Sequence, residues 1–225
     1  MNKETYEKVE AYMLSSTEDS AHDKEHIYRV LNNALLIAQD EANVDYDILI
    51  AACLLHDVGR IDQMKDPTLC HAQVGSEKAK NFLLGNGWTE ALSETIADCI
   101  RTHRFRKNAP PQTLEAKILF DADKLDVVGA MGIARTLAYQ GALGAPLYTK
   151  LPDGSVSDGT GDAQYSFFRE YKFKLENLYD RFYTKKGREL AMERRTAAEA
   201  FYNSLYSEVF QSCENLNALL QDRID

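Results

Sequence analysis

Five histidines occur in the chain, His22, His26, His56, His71 and His103, all in its first half. His56 is followed directly by Asp57, and the pair closes the apolar run Ile48, Leu49, Ile50, Ala51, Ala52, Cys53, Leu54 and Leu55. Burying an imidazole and an unpaired carboxylate is costly. A divalent cation bonded to both removes that cost. Neighbouring side chains diverge by about 100° along a helix, but at a helix end the two can still converge on one ion. His26 shares a helical face with Arg29, Val30 and Asn33, at offsets of three, four and seven. A third group follows the apolar Ile118-Leu119-Phe120, where Asp121-Ala122-Asp123-Lys124-Leu125-Asp126 carries three carboxylates. Imidazoles mixed with carboxylates suit a hard or borderline divalent ion. A structural zinc site would instead be closed and rich in thiolate.

Helices must position these residues, because helical periodicity dominates and strand alternation is absent. The pattern predicts helices over roughly 2–15, 24–42, 45–57, 71–85, 89–104, 112–124, 126–142, 164–183 and 187–220. Asp45 is placed to cap the helix that ends at His56-Asp57. Gly85-Asn86-Gly87 and Pro110-Pro111 act as stops. Between 144 and 163 the pattern breaks at Pro146, Pro152, Asp153-Gly154 and Asp158-Gly159-Thr160-Gly161. A loop of this length is expected to be a mobile surface excursion or a lid. Beyond it Phe167, Phe168, Tyr171, Leu175, Leu178 and Phe182 form a stripe that reads as core packing. Gly129, Ala130, Gly132 and Ala134 read as close helix packing. No G-x-x-x-x-G-K-[ST] loop occurs, which argues against kinase-like chemistry.

The net charge of −9 leaves no basic face for a nucleic-acid duplex. It does not exclude a small anionic substrate, since a metal inverts the field locally. Cys53, Cys70, Cys99 and Cys213 form no C-x-x-C pair and read as unpaired thiols of a reducing compartment. The apolar run before His56 is too short to span a bilayer. The segment Met1–Glu7 lacks a signal-peptide core. A cytoplasmic protein without a membrane partner is expected.

The chain resembles the HD-domain superfamily of metal-dependent phosphohydrolases, in particular small bacterial single-domain members. Three strings carry the resemblance. They are His22-Asp23-x-x-His26-x-x-Arg29-Val30, Ala51-x-x-Leu54-Leu55-His56-Asp57-x-Gly59-Arg60, and Asp121-Ala122-Asp123-Lys124-Leu125-Asp126-x-x-Gly129-Ala130. Thr184-x-x-Gly187-Arg188-x-Leu190-Ala191-x-x-Arg194 extends it to the C-terminal segment. The resemblance implies an all-α helical bundle with additional C-terminal helices in one domain over 1–225, its core at about 20–140. It implies the metal ligands His26, His56, Asp57 and Asp123, the last chosen by aligning the Ala-Asp dipeptide. In some branches further histidines bind a second ion, which makes His71 and His103 candidates for a second metal or for substrate. The Gly-Tyr-Pro signature of cyclic-dinucleotide phosphodiesterases is absent after His103, where Arg104-Phe105-Arg106-Lys107 stands.

The cofactor implied is one or two divalent ions per chain, from among Mn, Fe, Co, Ni, Mg and Zn. The reaction implied is hydrolysis of a phosphate ester or phosphoanhydride, with a small phosphorylated substrate of nucleotide type. Arg29, Arg60, Lys124 and the group Arg101, Arg104 and Arg106 are candidates for fixed phosphate-binding cations. Asp62 and Asp126 are candidate general bases. His22 is a candidate hydrogen-bond support for a ligand. Two other classes fit the residues: a di-iron oxygenase on the same fold, which needs His71 and His103 on iron, and a regulatory module that keeps a metal without turnover.

Overall fold

A computed structural model of the chain describes residues 1–16, 24–104, 109–221 and 223. It is all-α among these residues, apart from one isolated bridge between Lys150 and Val156. Two compact units are present, Met1–Asp126 with Phe182–Arg188, and Val127–Arg181 with Glu189–Asp225. No helix among the described residues is long and apolar enough to cross a membrane.

The first unit holds α1 (Lys3–Ser15), α2 (Lys24–Ala38), α3 (Tyr46–Leu55), α4 (Arg60–Lys65), α5 (His71–Gly85), α6 (Glu90–Thr102) and α7 (Leu114–Leu125). Helix α3 is apolar on all sides and packs against α1, α2, α6 and α7. Leu49, Leu54 and Leu55 have no solvent exposure. Burial at that level stabilises by about 1.5–3 kcal/mol per side chain. Asp45 caps α3, accepting from Asp47 N and Ile48 N. Helix α2 turns a single stripe, Ile27, Val30, Leu31, Ala34 and Ile37, into the core. Thr89 and Thr113 cap α6 and α7 in the same way.

Helix α4 is too short to leave a periodic signature. It follows a corner at Gly59 that lies against the first turn of α5. A Cβ at Gly59 would stand 2.3 Å from His71 O and 2.6 Å from Gly75 N. Asp121 is fully buried and accepts from Tyr183 N at 2.9 Å, Thr184 N at 2.7 Å and Thr184 Oγ1 at 2.6 Å. Thr184 Oγ1 in turn accepts from Gly187 N at 3.0 Å. The Thr184-x-x-Gly187 string is therefore an anchor of the 182–188 segment, and a side chain at Gly187 would run into Asp121.

The second unit holds α8 (Gly129–Ala142), α9 (Phe167–Phe173), a 3-10 turn (Leu175–Asn177) and most of α10 (Lys185–Gln221). Two helix expectations need correction here. The helix expected from 126 begins at Gly129, because Asp126 caps α7. The helix expected over 164–183 ends at Phe173, where Asn177 Nδ2 donates to Lys172 O and Phe173 O and draws the last carbonyls out of the helical ladder. The expected core stripe is buried at Phe167, Phe168, Tyr171, Leu175 and Leu178, and Tyr171 stacks on Tyr202 at 4.1 Å. The 144–163 segment is tied down by its own bonds: Leu151 N to Ser155 O at 2.9 Å, Ser157 N to Thr149 O at 3.0 Å, and the Thr149 and Ser157 hydroxyls to Asp162. Tyr202 Oη donates to Asp158 O at 2.5 Å.

Candidate metal centre

Three helix C-termini deliver candidate ligands to one buried place in the first unit. His56 is the C-cap of α3 and His103 the C-cap of α6; Asp123 sits in the last turn of α7. Helix C-termini carry partial negative charge and favour a cation. His26 comes from the first turn of α2 and His71 is the first residue of α5. His26, His56, Asp57, His71 and His103 are at most 1% exposed.

The tautomers follow from the partners. His56 Nδ1 lies 2.7 Å from Cys53 O, and His103 Nδ1 lies 2.6 Å from Ile100 O, both carbonyls of the last helical turn. His26 Nδ1 lies 2.7 Å from Asp126 Oδ2, and His71 Nδ1 lies 2.7 Å from Gln63 Oε1. All these partners are acceptors, so each Nδ1 carries the proton and donates. A ring so held and uncharged presents an Nε2 lone pair. Burial, the largest cause, lowers the pKa of His56, takes His103 down to about 4 and His71 down to about 2. Those three rings are therefore neutral near pH 7.

Those Nε2 atoms converge on Asp57. His26 and His56 stand 3.7 and 3.6 Å from Asp57 Oδ2; His71 and His103 stand 3.7 and 3.8 Å from Asp57 Oδ1. His26 Nε2 is also 3.6 Å from Asp123 Oδ1 and 3.4 Å from His56 Nε2. Ligands about 2.1 Å from one ion are separated from each other by about 3.0–3.4 Å in octahedral or tetrahedral geometry. The observed spacings sit slightly open of that. Asp57 Oδ2 and His71 Nε2 are buried without a hydrogen-bond partner. A wall of acceptors with orphaned members fits a cation. The ligand atoms fall into two sets, His26 with His56 and Asp123, and Asp57 with His71 and His103. Burial works against ionising Asp57, but His56, Arg60, His26 and His103 together hold it well below the usual carboxylate range. Asp123 is lowered likewise against burial, by Lys124 first.

The remaining sequence candidates separate clearly. Asp126 accepts from Arg29 Nε at 2.7 Å and from Arg29 Nη2 at 3.1 Å, besides His26. Both its oxygens are engaged, which leaves it unlike a free base. Arg60 Nε donates to Asp57 Oδ1 at 2.9 Å, and Lys124 Nζ donates to Asp123 Oδ2 at 2.9 Å. Asp62 is paired instead with Lys78 at 2.5 Å, and Arg101 with Asp98 and Glu94 of its own helix. Asp121 faces the Thr184 anchor, not the histidines. Arg104 is exposed; His22 and Arg106 lie outside the described residues. Gln63 has no sequence signal, since a lone Gln after a short helix start is ordinary.

A family model described as HD domain matches residues 24–128, the stretch that carries this centre. The chain belongs to the HD-domain family. The uncharacterized protein YpgQ of Bacillus subtilis is 32% identical over 196 residues, covering 85% of this chain and 86% of that protein. The crystal structure of YpgQ in complex with ADP has a TM-score of 0.71 at 28% identity, covering 91% of this chain and 97% of that one. An HD-superfamily hydrolase from Bacillus thuringiensis has a TM-score of 0.70 at 29% identity, covering 92% and 97%.

Proposed function

We propose that the chain is a metal-dependent phosphohydrolase that cleaves a phosphate ester or phosphoanhydride bond of a nucleotide. The observation that carries this reading is the convergence of four imidazole Nε2 atoms on the two oxygens of Asp57. His26, His56, Asp57 and Asp123 would hold one divalent ion. Asp57, His71 and His103 would hold a second. Ions held there would supply a water nucleophile near neutral pH and would neutralise phosphoryl charge.

The chain's own residues supply the rest. Asp126 fixes the tautomer and orientation of His26, and Arg29 fixes Asp126. That is an orienting role, in place of the general-base role its position allows. Arg60 and Lys124 each touch a ligand carboxylate and keep further N–H donors for the equatorial phosphoryl oxygens. The nucleotide class is supported by the ADP that YpgQ binds.

The test is phosphate and pyrophosphate release from nucleoside mono-, di- and triphosphates with Mn²⁺, Co²⁺, Mg²⁺ and Ni²⁺. Metal-dependent release is expected. In His56→Ala and Asp57→Ala, release and bound metal should vanish together while the helical circular dichroism persists. No release from any nucleotide would return the chain to a regulatory module. The two-histidine pairs about Asp57 equally match a di-iron oxygenase, so two irons per chain with oxygen consumption would replace the hydrolase reading.

A further inference from the structure

Gln63 of α4 belongs to neither candidate ligand set, yet its carboxamide decides what His71 can offer. Gln63 Oε1 lies 2.7 Å from His71 Nδ1, and Gln63 Nε2 donates to Leu69 O at 2.9 Å. The second contact fixes the amide: flipped, it would set two acceptors, Oε1 and Leu69 O, against each other. Leu69 is itself held in the turn before α5, where its N–H donates to Asp66 O at 3.0 Å. With Oε1 facing it, His71 must carry its proton on Nδ1. Its Nε2 lone pair is then directed inward, buried and unpartnered, 3.7 Å from Asp57 Oδ1.

The four histidines differ in what backs them. His56 and His103 lean on main-chain carbonyls of their own helices, which no rotamer change removes. His26 leans on a carboxylate held by Arg29, which raises its basicity as a ligand. His71 alone depends on a neutral, partly exposed side chain from another helix. Charge is uneven in the same sense. His26 and His56 group with Asp123, whose carboxylate also acts on His103, whereas His71 has only the Asp57 oxygen that Arg60 already holds.

We propose that Gln63 is a positioning residue for the His71–His103–Asp57 half of the centre, fixing His71 as an Nε2 ligand and making that half a weaker, separately loaded metal position. This rests on the two-metal reading above. The test titrates the metal-free full chain with Mn²⁺ and counts bound ions by equilibrium dialysis, in the wild type, Gln63→Met and Gln63→Glu. Two ions of unequal affinity are expected in the wild type. Gln63→Met is close in length but lacks the acceptor, and it should weaken the second ion by about 10- to 100-fold and leave the first unchanged. Gln63→Glu gives up the donor to Leu69 O but keeps the acceptor towards His71, and it should keep the second ion. Long-range ¹H–¹⁵N spectra of the metal-free proteins should show His71 as the Nδ1–H tautomer in the wild type and Gln63→Glu, and as a mixture in Gln63→Met. A single ion in the wild type overturns the two-metal reading and this proposal together. Two ions in the wild type with the second undisturbed in Gln63→Met overturns the role of Gln63 alone. Loss of the helical signal or of both ions in Gln63→Met, or loss of the second ion in Gln63→Glu, also overturns it.

Discussion

His71 and His103 are buried as neutral rings, and that choice has a consequence for stability. In the folded, metal-free chain burial holds His103 down to about 4 and His71 down to about 2, and lowers His56 as well. In the unfolded chain each protonates near about 6.5. Below that value the unfolded state binds more protons than the folded one, so stability falls as pH falls. The loss begins near pH 6.5, saturates near 4 for His103 and continues towards 2 for His71. Its slope is at most about 1.4 kcal/mol per pH unit for each ring. Asp57 and Asp123, both lowered, act in the same direction but only below their unfolded value of about 3.9. Urea denaturation of the chelator-treated protein should therefore show a midpoint that drops steadily from pH 7 to pH 5. A flat midpoint over that range would mean the rings are not neutral in the fold.

The corner between α3 and α4 shows how packing of elements sets the geometry of the candidate ligands. Gly59 has an ordinary negative φ of −93°, so no backbone conformation demands glycine there. The demand is steric, from His71 O and Gly75 N of α5. Gly59→Ala is expected to push the start of α5 away and destabilise by about 1–3 kcal/mol or more, as overpacked cores do. An unchanged urea midpoint for Gly59→Ala would show that the corner has slack. The same corner marks the limit of what the sequence makes legible. An apolar run ending in His56-Asp57 is readable because burial and residue type conflict openly. The stripe of α2 that carries His26 is readable by its period. What α7 does with three carboxylates is not, because Asp121, Asp123 and Asp126 are alike in type and differ only in what each faces: a buried anchor at Thr184, the histidines, and the His26–Arg29 pair. Gln63 is invisible for a similar reason, since its contact with His71 depends on a turn whose shape Asp66 and Thr68 set through side-chain bonds.

At the scale of the molecule the balance is acidic, 35 carboxylate residues against 26 basic ones, and cations held at the centre would invert that field locally. The candidate ligands come from α2, the α3 end, α5, the α6 end and α7, all within the first unit. An ion bound there ties those helices together and binds the folded state alone. At a free concentration of 100 times its dissociation constant it should stabilise the fold by about 2.7 kcal/mol. Hydrogen exchange resolves where that stabilisation goes. Adding Mn²⁺ to the metal-free protein should slow exchange in α2, α3, α5, α6 and α7. The amides of α8 and α9, which lie in the unit without ligands, should exchange as before. Equal slowing in both units would mean that they open as one cooperative body, and the division of the chain into two compact units would then describe its packing without describing how it unfolds.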